Sequence, residues 1–310
     1  PLRKKPSKKS PEKALKKLES SLDHIMETLS LRKVLDKRCL VFIWPDREEY
    51  TRRADQYYSG YVENTMGFFD HNPDRETYRI YAYQSPVLFS EVLPHELAHL
   101  CLEVLLNPLE KYRVPIWLHE GFAQVHEEKD YLQDLIKINL AEKRKRLIGL
   151  ERLFRLRGYP KNFFLNRLFY LESESLVRYL LDSQTREGEF RDFCTEFLFW
   201  DEDPATVLKI RFDGRFPDLA VLEKKWLTWV KKTTRNVPIA GDNTFLQPVK
   251  RCLFASRYLR QAETSSKEGE FDKAIAHYES AISELVSLRQ EDPEWGDENV
   301  EKMLEECREN

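Results

Sequence analysis

The sequence predicts an α+β fold in which a small sheet near the N-terminus is followed by an almost wholly helical chain. Two observations predict the sheet: CLVFIW (39–44) is a short apolar run ended by Pro45, and MGFFD (66–70) and YRIYAY (78–83) flank a turn-rich segment. A third predicts the helices, because the pattern from about 130 to 232 is helical and is broken only at short turns.

The first element is expected to be an amphipathic helix from Ser10 to about Lys37. Its apolar residues recur every three or four positions, which places them on one face. They are Leu15, Leu18, Leu22, Ile25 and Leu29. The opening PLRKKPSKKSPEKALKK is strongly cationic and is expected to be a solvated tail, with contact to an anionic surface as the alternative. CLVFIW is expected to form a buried strand, and DREEYTRRADQYY after it a helix.

Composition excludes several classes of function. The net charge is only −3, which gives no overall electrostatic case for nucleic acid binding. No apolar run reaches the roughly 18 residues that span a membrane. The five cysteines are odd in number and form no CxxC pair, which argues against a disulfide framework or a thiolate metal site. The chain begins at Pro1, so its location is unknown; a signal removed upstream would indicate an exported or envelope protein of a bacterium.

The motif HELAH (95–99) carries the strongest chemical signal. On a helix, His95 and His99 lie one turn apart and about 40° around the axis, so both imidazoles can reach one ion. Spacing and ligand type predict one Zn²⁺. Glu96 projects to the side of the ligand pair, where its carboxylate can accept a proton from water as the general base.

Two protein ligands leave a catalytic zinc one ligand short. The metzincin pattern, with a glycine and a histidine shortly after the motif, is excluded because Leu102 and Leu105 occupy those positions. The candidates are therefore on the next helix, which begins near Pro115. Glu120 lies there in WLHEGFAQ, and 20 residues separate it from His99, enough for that helix to fold back beside the first.

At these residues the chain resembles the gluzincin zinc peptidases, in which HExxH is followed about twenty residues later by Glu in a W-L-x-E-G-x-A block. The matching positions are Trp117, Leu118, Glu120, Gly121 and Ala123. The likeness is greatest to the bacterial peptidase-MA-like group and covers roughly 39–232. It implies a helical zincin-like peptidase domain with Glu120 as the third zinc ligand; a solvated glutamate at a helix start is the alternative.

The resemblance also implies a tyrosine that stabilises the oxyanion. Tyr170 is the matching position, Tyr179 on the same helix is its competitor, and two buried structural tyrosines are the third possibility. YRIYAY is either the edge strand that aligns an extended peptide or a plain buried strand. The block with which aminopeptidases of this type bind the substrate amino terminus is absent, so the exopeptidase interpretation loses support.

Three further polar residues lie near the motifs. His119 and His126 flank Glu120 on its helix. His119 either touches the substrate or supports the metal ligands, or it is a surface histidine; no role is assigned to His126. Glu103 lies one turn beyond His99, too far along the helix to be a ligand, although it can support one through a hydrogen bond.

The C-terminal segment resembles one tetratricopeptide (TPR) repeat. The residues in its register are Ala262, Gly269, Phe271, Ala274, Tyr278 and Ala281. A single repeat cannot bury its faces alone, so it is expected to dock on the rest of the chain, with DENVEKMLEECRE as a capping helix; binding of a protein partner is the alternative. The expected organisation is a basic tail and helix (1–38), a peptidase domain (39–232), a linker (233–248) and a TPR-like segment (249–310).

The sequence as a whole predicts a zinc metallopeptidase acting on a peptide or protein substrate. Its expected catalytic residues are Glu96 and Tyr170, and its expected metal ligands are His95, His99 and Glu120. Two alternatives remain at this point: a catalytically silent metal-binding adaptor that acts through its helical surfaces, and a zinc hydrolase of a non-peptide amide or ester.

Overall fold

The computed structural model describes residues 9–31, 35, 37–54, 65–70, 76–106, 114–143, 145–160, 163–199, 204–235, 237, 258–262, 264–268 and 270–291. The chain divides into two compact units, 1–159 with 168–235 and 160–167 with 236–310. The predicted α+β class is confirmed, because the described chain is mostly helical and carries one small sheet. No described helix is long and apolar enough to cross a membrane.

Helices make up most of the described chain. In chain order they are α1 (Lys9–Thr28), α2 (Arg47–Ala54), α3 (Leu93–Leu106), α4 (Ile116–Val125), α5 (Tyr131–Lys143), α6 (Leu150–Arg155), α7 (Phe163–Asp182), α8 (Glu189–Phe199), α9 (Pro204–Arg211), α10 (Leu219–Thr234) and α11 (Phe271–Glu291). The predicted first helix is confirmed but ends earlier than about Lys37. It stops at Thr28 because Ser30 adopts a left-handed backbone conformation, with φ 50°, that a helix cannot contain.

Three strands form the sheet in the described part of the chain: β1 (Arg38–Trp44), β2 (Gly67–Asp70) and β3 (Thr77–Tyr83). Their order is β1-β3-β2, with β1 parallel and β2 antiparallel to β3. All three predicted strands are confirmed. The edge-strand alternative for YRIYAY is wrong, because β3 has a neighbour on both sides; β2 lies at the edge next to α3.

The burial predicted for β1 is wrong. Leu40, Phe42 and Ile43 are each 40% exposed, because β1 pairs with β3 on one side only among the described residues. One side of the strand still packs on its neighbour: Trp44 and Phe42 stack on Tyr81 of β3 at ring-centroid distances of 5.5 and 5.1 Å. An apolar run alone could not distinguish an edge strand from a central one.

The core of the first unit lies among the helices after the sheet. Its largest fully buried side chains include Trp117, Trp226, Phe122, Phe169 and Phe190. These come from four helices spread over more than 100 positions of the chain, α4, α7, α8 and α10, so this core joins distant segments. The HELAH motif lies where α3 contacts both α4 and β2.

In the second unit, α11 is the longest described element, and 258–262 and 264–267 are also helical. Ala262, Ala274 and Ala281 of the TPR-like register are buried, whereas Phe271 is 66% exposed. The predicted capping helix lies outside the described residues, and so does the linker 233–248 apart from 233–235 and 237.

Candidate metal centre

The HELAH motif lies on the first two turns of α3. A π-helical turn, Leu88–Val92, precedes the helix, and Pro94 occupies its first turn, where a residue without an N–H is tolerated. The rings of His95 and His99 stand edge to face, with centroids 4.6 Å apart and their Nε2 atoms 3.0 Å apart. The helix thus directs two imidazole nitrogens to one point.

Glu120 joins this pair from α4. Its Oε2 lies 3.6 Å from His95 Nε2, and its Oε1 lies 4.0 Å from His99 Nε2. The ligand atoms of the three residues all lie within 4.8 Å of one another, and Glu120 is buried. Two imidazoles and one carboxylate converging in this way match the donor set of a catalytic zinc site.

A glycine beside Glu120 lets α4 approach α7 closely. A Cβ atom built on Gly121 would lie 2.4 Å from the carbonyl oxygen of Ser173 and 2.9 Å from Val177 Cγ2. Only hydrogen fits at that position, so backbone touches backbone. This explains why the block around Glu120 needs a glycine there: it fixes the depth at which the carboxylate sits.

Glu96 is buried beside the three ligand atoms but does not belong to their group. Burial raises its pKa to about 7, with the charge of Glu120 acting in the same direction and His95 opposing it. The backbone N–H of Phe69 on β2 donates a hydrogen bond to its carboxylate. A Cβ atom on Gly67 would lie 3.3 Å from Glu96 Cγ, so the edge strand passes directly against this side chain.

His95 makes a second polar contact on the side away from the cluster. Its Nδ1 lies 2.7 Å from Glu127 Oε1. Burial lowers the pKa of His95, but the two carboxylates of Glu120 and Glu127 outweigh it and raise that pKa to about 10. The Nε2 atoms of His95 and His99 and the carboxylate of Glu120 thus lie within reach of one cation.

His99 has no comparable support among the described residues. Its Nδ1 is buried and has no hydrogen-bond partner there, and burial together with His119 and His95 lowers its pKa. The ring of His119 stacks on it at 3.9 Å with an angle of 13°. Glu103 Oε1 lies 3.5 Å from His119 Nε2. Glu103 and His119 thus flank the cluster from outside.

The two tyrosines predicted as candidates lie in different places. Tyr170 is half-buried near the cluster: partial burial raises its pKa, and the charges of Glu120, Glu127 and Glu96 raise it further. Tyr179 packs instead against Phe216 and Trp229, with ring centroids 5.9 and 5.7 Å away. Of the two tyrosines, only Tyr170 is close enough for the carboxylates of the site to raise its pKa.

Tyr159 is a site residue that sequence reasoning missed. Its hydroxyl donates a short hydrogen bond to Glu120 Oε1, and its ring stacks on Tyr170 at 6.2 Å with an angle of 23°. In the sequence it stands between Gly158 and Pro160, which marked the segment only as a break between helices. Nothing in the local pattern distinguishes a site tyrosine in a loop from a surface one.

Glu127 and the N–H of Phe69 were also missed. Glu127 stands in the polar run HEEKD after α4, where acids usually face solvent, and a backbone donor has no sequence signature at all. His126, flagged from the sequence, is buried away from the ligand atoms, against Phe122 (4.7 Å) and His24 (5.4 Å).

Comparison with models of known protein families, with curated proteins and with solved structures found no match.

Proposed function

We propose that this protein is a zinc-dependent peptidase with a gluzincin-type site. The observation that carries the proposal is the convergence of His95, His99 and Glu120 from two helices, with Glu96 buried beside them. We further propose that the first unit is a zincin-like peptidase domain and that the second is TPR-like. The close packing at Gly121 and the position of Tyr170 support the first of these proposals.

His95, His99 and Glu120 would hold one Zn²⁺ through two Nε2 atoms and a carboxylate oxygen. Zinc in such a site polarises a carbonyl and makes water more acidic. The carboxylate contributes one negative charge, and the two imidazoles bind in their neutral form. The three side chains are largely shielded from water, which strengthens every electrostatic interaction among them.

Glu96 would act as the general base that takes a proton from the attacking water. It adjoins the ligands without being one of them, and its burial raises its pKa above the ordinary value of a carboxyl group, which makes it a better proton acceptor. The N–H of Phe69 orients its carboxylate. After the attack, the same carboxyl group can deliver its proton to the leaving amine.

Tyr170 and Tyr159 would supply hydroxyl groups to the oxyanion that develops on the scissile carbonyl. Both are on the Glu120 side of the cluster and stack on each other. Burial and nearby carboxylates raise the pKa of Tyr170, so this phenol stays protonated and remains a donor. The hydroxyl of Tyr159 donates a hydrogen bond to Glu120, and its ring lies beside Tyr170.

The test combines metal analysis with peptide cleavage. Purified wild-type protein should retain about one zinc per chain and cleave members of a random peptide library. Glu96→Gln should keep the zinc and lose cleavage, whereas Glu120→Ala should lose zinc. A wild-type protein that binds zinc but cleaves no peptide would favour the adaptor, and hydrolysis of simple esters or amides alone would favour the non-peptide hydrolase.

A protein partner through the TPR-like segment is a separate proposal. Phe271 and Ile275 lie one turn apart on α11 and are 66% and 56% exposed. Two large apolar side chains on one face of a helix are suited to contact another protein. Replacing both by lysine should abolish such binding without changing zinc content.

A further inference from the structure

The contact between His95 and Glu127 selects which ring nitrogen of His95 faces the ligand cluster. A carboxylate can only accept a hydrogen bond, so the Nδ1 atom 2.7 Å from Glu127 Oε1 carries the hydrogen. The Nε2 atom then points at His99 and Glu120, where its lone pair can bind a cation. Glu127 thus sets both the tautomer and the plane of the ring.

Glu127 is itself held by a cation. Lys129 Nζ lies 3.0 Å from Glu127 Oε2, the oxygen that His95 does not use, and 2.9 Å from Glu174 Oε2. The side chain of Glu174 is only 2% exposed, so this second carboxylate is deeply buried on α7. Lys129 therefore bridges the segment after α4 to the helix that carries Tyr170.

Arg178 completes the chain of charges. Its Nε and Nη2 atoms donate to Glu174 Oε1 at 3.0 and 2.9 Å, and Nη2 also donates to the carbonyl oxygen of Val125, the last residue of α4, at 3.2 Å. The guanidinium group packs on the ring of Tyr131 at 4.5 Å. The end of α4 is thereby tied to α7 at a second point, beyond the close approach at Gly121.

These four side chains form a network of two carboxylates and two cations, defined here as the Glu127 network: Glu127, Lys129, Glu174 and Arg178. Asp134 Oδ2 lies beside it, 3.8 Å from Lys129 Nζ. Each charge has a partner of opposite sign, which offsets the cost of burying it. A network placed only for stability has no need to reach a histidine. This one ends on His95, and it joins α3 and the end of α4, the two helices that carry the cluster, to α7, which carries Tyr170.

We propose that Glu127 is a positioning residue for His95, and that Lys129, Glu174 and Arg178 hold Glu127 in place so that the site is preorganised for a divalent cation. The inference rests on the proposed metal centre but not on peptidase activity. Carboxylates that orient metal-binding histidines commonly contribute tenfold to a hundredfold in metal affinity. Unlike Glu120, Glu127 contributes no ligand atom.

The test measures metal affinity and ligand geometry on the full chain. Metal-free wild type and Glu127→Gln are titrated with Zn²⁺ against a competing chelator, and the visible spectrum is recorded with Co²⁺ in place of zinc. Glu127→Gln should bind zinc tenfold to a hundredfold more weakly and shift the Co²⁺ bands. Glu127→Asp should recover part of the affinity.

The matched control is Glu128→Gln, a neighbouring acid whose side chain is exposed. It should leave affinity and spectrum unchanged. If Glu127→Gln does not fold, Lys129→Met, which keeps the contact between Glu127 and His95, should still show a smaller loss of affinity. Zinc affinity of Glu127→Gln within twofold of wild type, with an unchanged Co²⁺ spectrum, overturns the inference alone. A wild-type chain that binds no zinc overturns both the inference and the proposed function.

Discussion

The hydroxyl of Tyr159 donates its hydrogen to Glu120 Oε1, one of the two carboxylate oxygens that face the histidine pair. Tyr159 is 52% exposed and comes from the loop between α6 and α7, whereas the other residues of the cluster lie on helices. The exposed ring of Tyr159 can contact a substrate while its hydroxyl holds Glu120 in place.

Tyr159→Phe should lower peptide cleavage by about tenfold, because the variant can neither steady Glu120 nor donate to the oxyanion. The free energy of unfolding should fall by no more than the lost hydrogen bond to a charged acceptor contributes, roughly 1.5 to 3 kcal/mol, since the ring keeps its stacking on Tyr170. Steady-state kinetics and urea unfolding measure the two effects. Unchanged kinetics would remove Tyr159 from the site.

Tyr170→Phe should reduce kcat by about 10² to 10³, the usual cost of losing one oxyanion donor, with zinc content unchanged. Tyr179→Phe is the matched control on the same helix, because that ring packs against Phe216 and Trp229. It should cleave at nearly the wild-type rate. An equal loss of kcat in both variants would mean that the two hydroxyl groups support the structure of the helix and take no part in the reaction.

Gly121→Ala should destabilise the fold by about 1 to 3 kcal/mol and weaken zinc binding, because the added methyl group would meet the backbone of Ser173 and displace Glu120. Gly158→Ala is the control: a Cβ atom there has nothing within 4 Å. Thermal unfolding and zinc titration report the two effects. The prediction fails if the two alanine variants behave alike.

His126 should make the fold sensitive to acid. Burial, with the charges of His24 and Arg178, lowers its pKa from 6.5 to about 3. Below about pH 6.5 the unfolded chain binds a proton that the folded chain does not, so the free energy of unfolding falls by about 1.4 kcal/mol per pH unit until about pH 3. The stability that neutral His126 contributes is therefore lost between the pKa of the unfolded chain, about 6.5, and that of the folded chain, about 3.

In His126→Phe this contribution is absent, so the drop in stability between pH 7 and pH 5 should be smaller than in wild type by about 2 kcal/mol. Urea unfolding at both pH values measures it. His24→Gln, at an exposed histidine on α1 whose charge is a smaller cause of the shift than burial, should keep most of the wild-type drop. Equal drops in wild type and His126→Phe would show that His126 is not buried in its neutral form.

Zinc should stabilise the folded chain. At a free zinc concentration one hundred times the Kd, the gain is about 2.7 kcal/mol if the unfolded chain does not bind the metal. The unfolding midpoint should rise with zinc and fall again on addition of a chelator. Glu120→Ala should show a much smaller rise. Equal shifts in the two proteins would place the stabilising ion elsewhere.

Much of the framework follows from local sequence. The strands and the start of α4 after Pro115 were predicted from turn residues and apolar runs. HELAH contains its own geometry, since a helix dictates where i and i+4 point. The proximity of Glu120 to that pair was expected from the resemblance and the length of the intervening chain.

What local sequence could not supply depends on contacts between distant segments. Tyr159 and Glu120 are 39 positions apart, and Glu127 and His95 are 32 apart. The exposure of β1 depends on which strand pairs with it, which an apolar run does not encode. Only packing distinguishes Tyr170 from Tyr179. Tyr170 lies near the carboxylates, whereas Tyr179 packs on aromatic side chains of α10 and the preceding loop.

The hydrogen bond from Phe69 to Glu96 is made by the main chain, so almost any amino acid at position 69 would preserve it, and only proline, which has no N–H, would remove it. Substitution of the Phe69 side chain therefore does not test this contact. The chemical environment of the base therefore depends on the path of a strand: substitutions of Phe69 other than proline keep the hydrogen bond to Glu96, and Gly67 leaves the room that lets the strand pass against it.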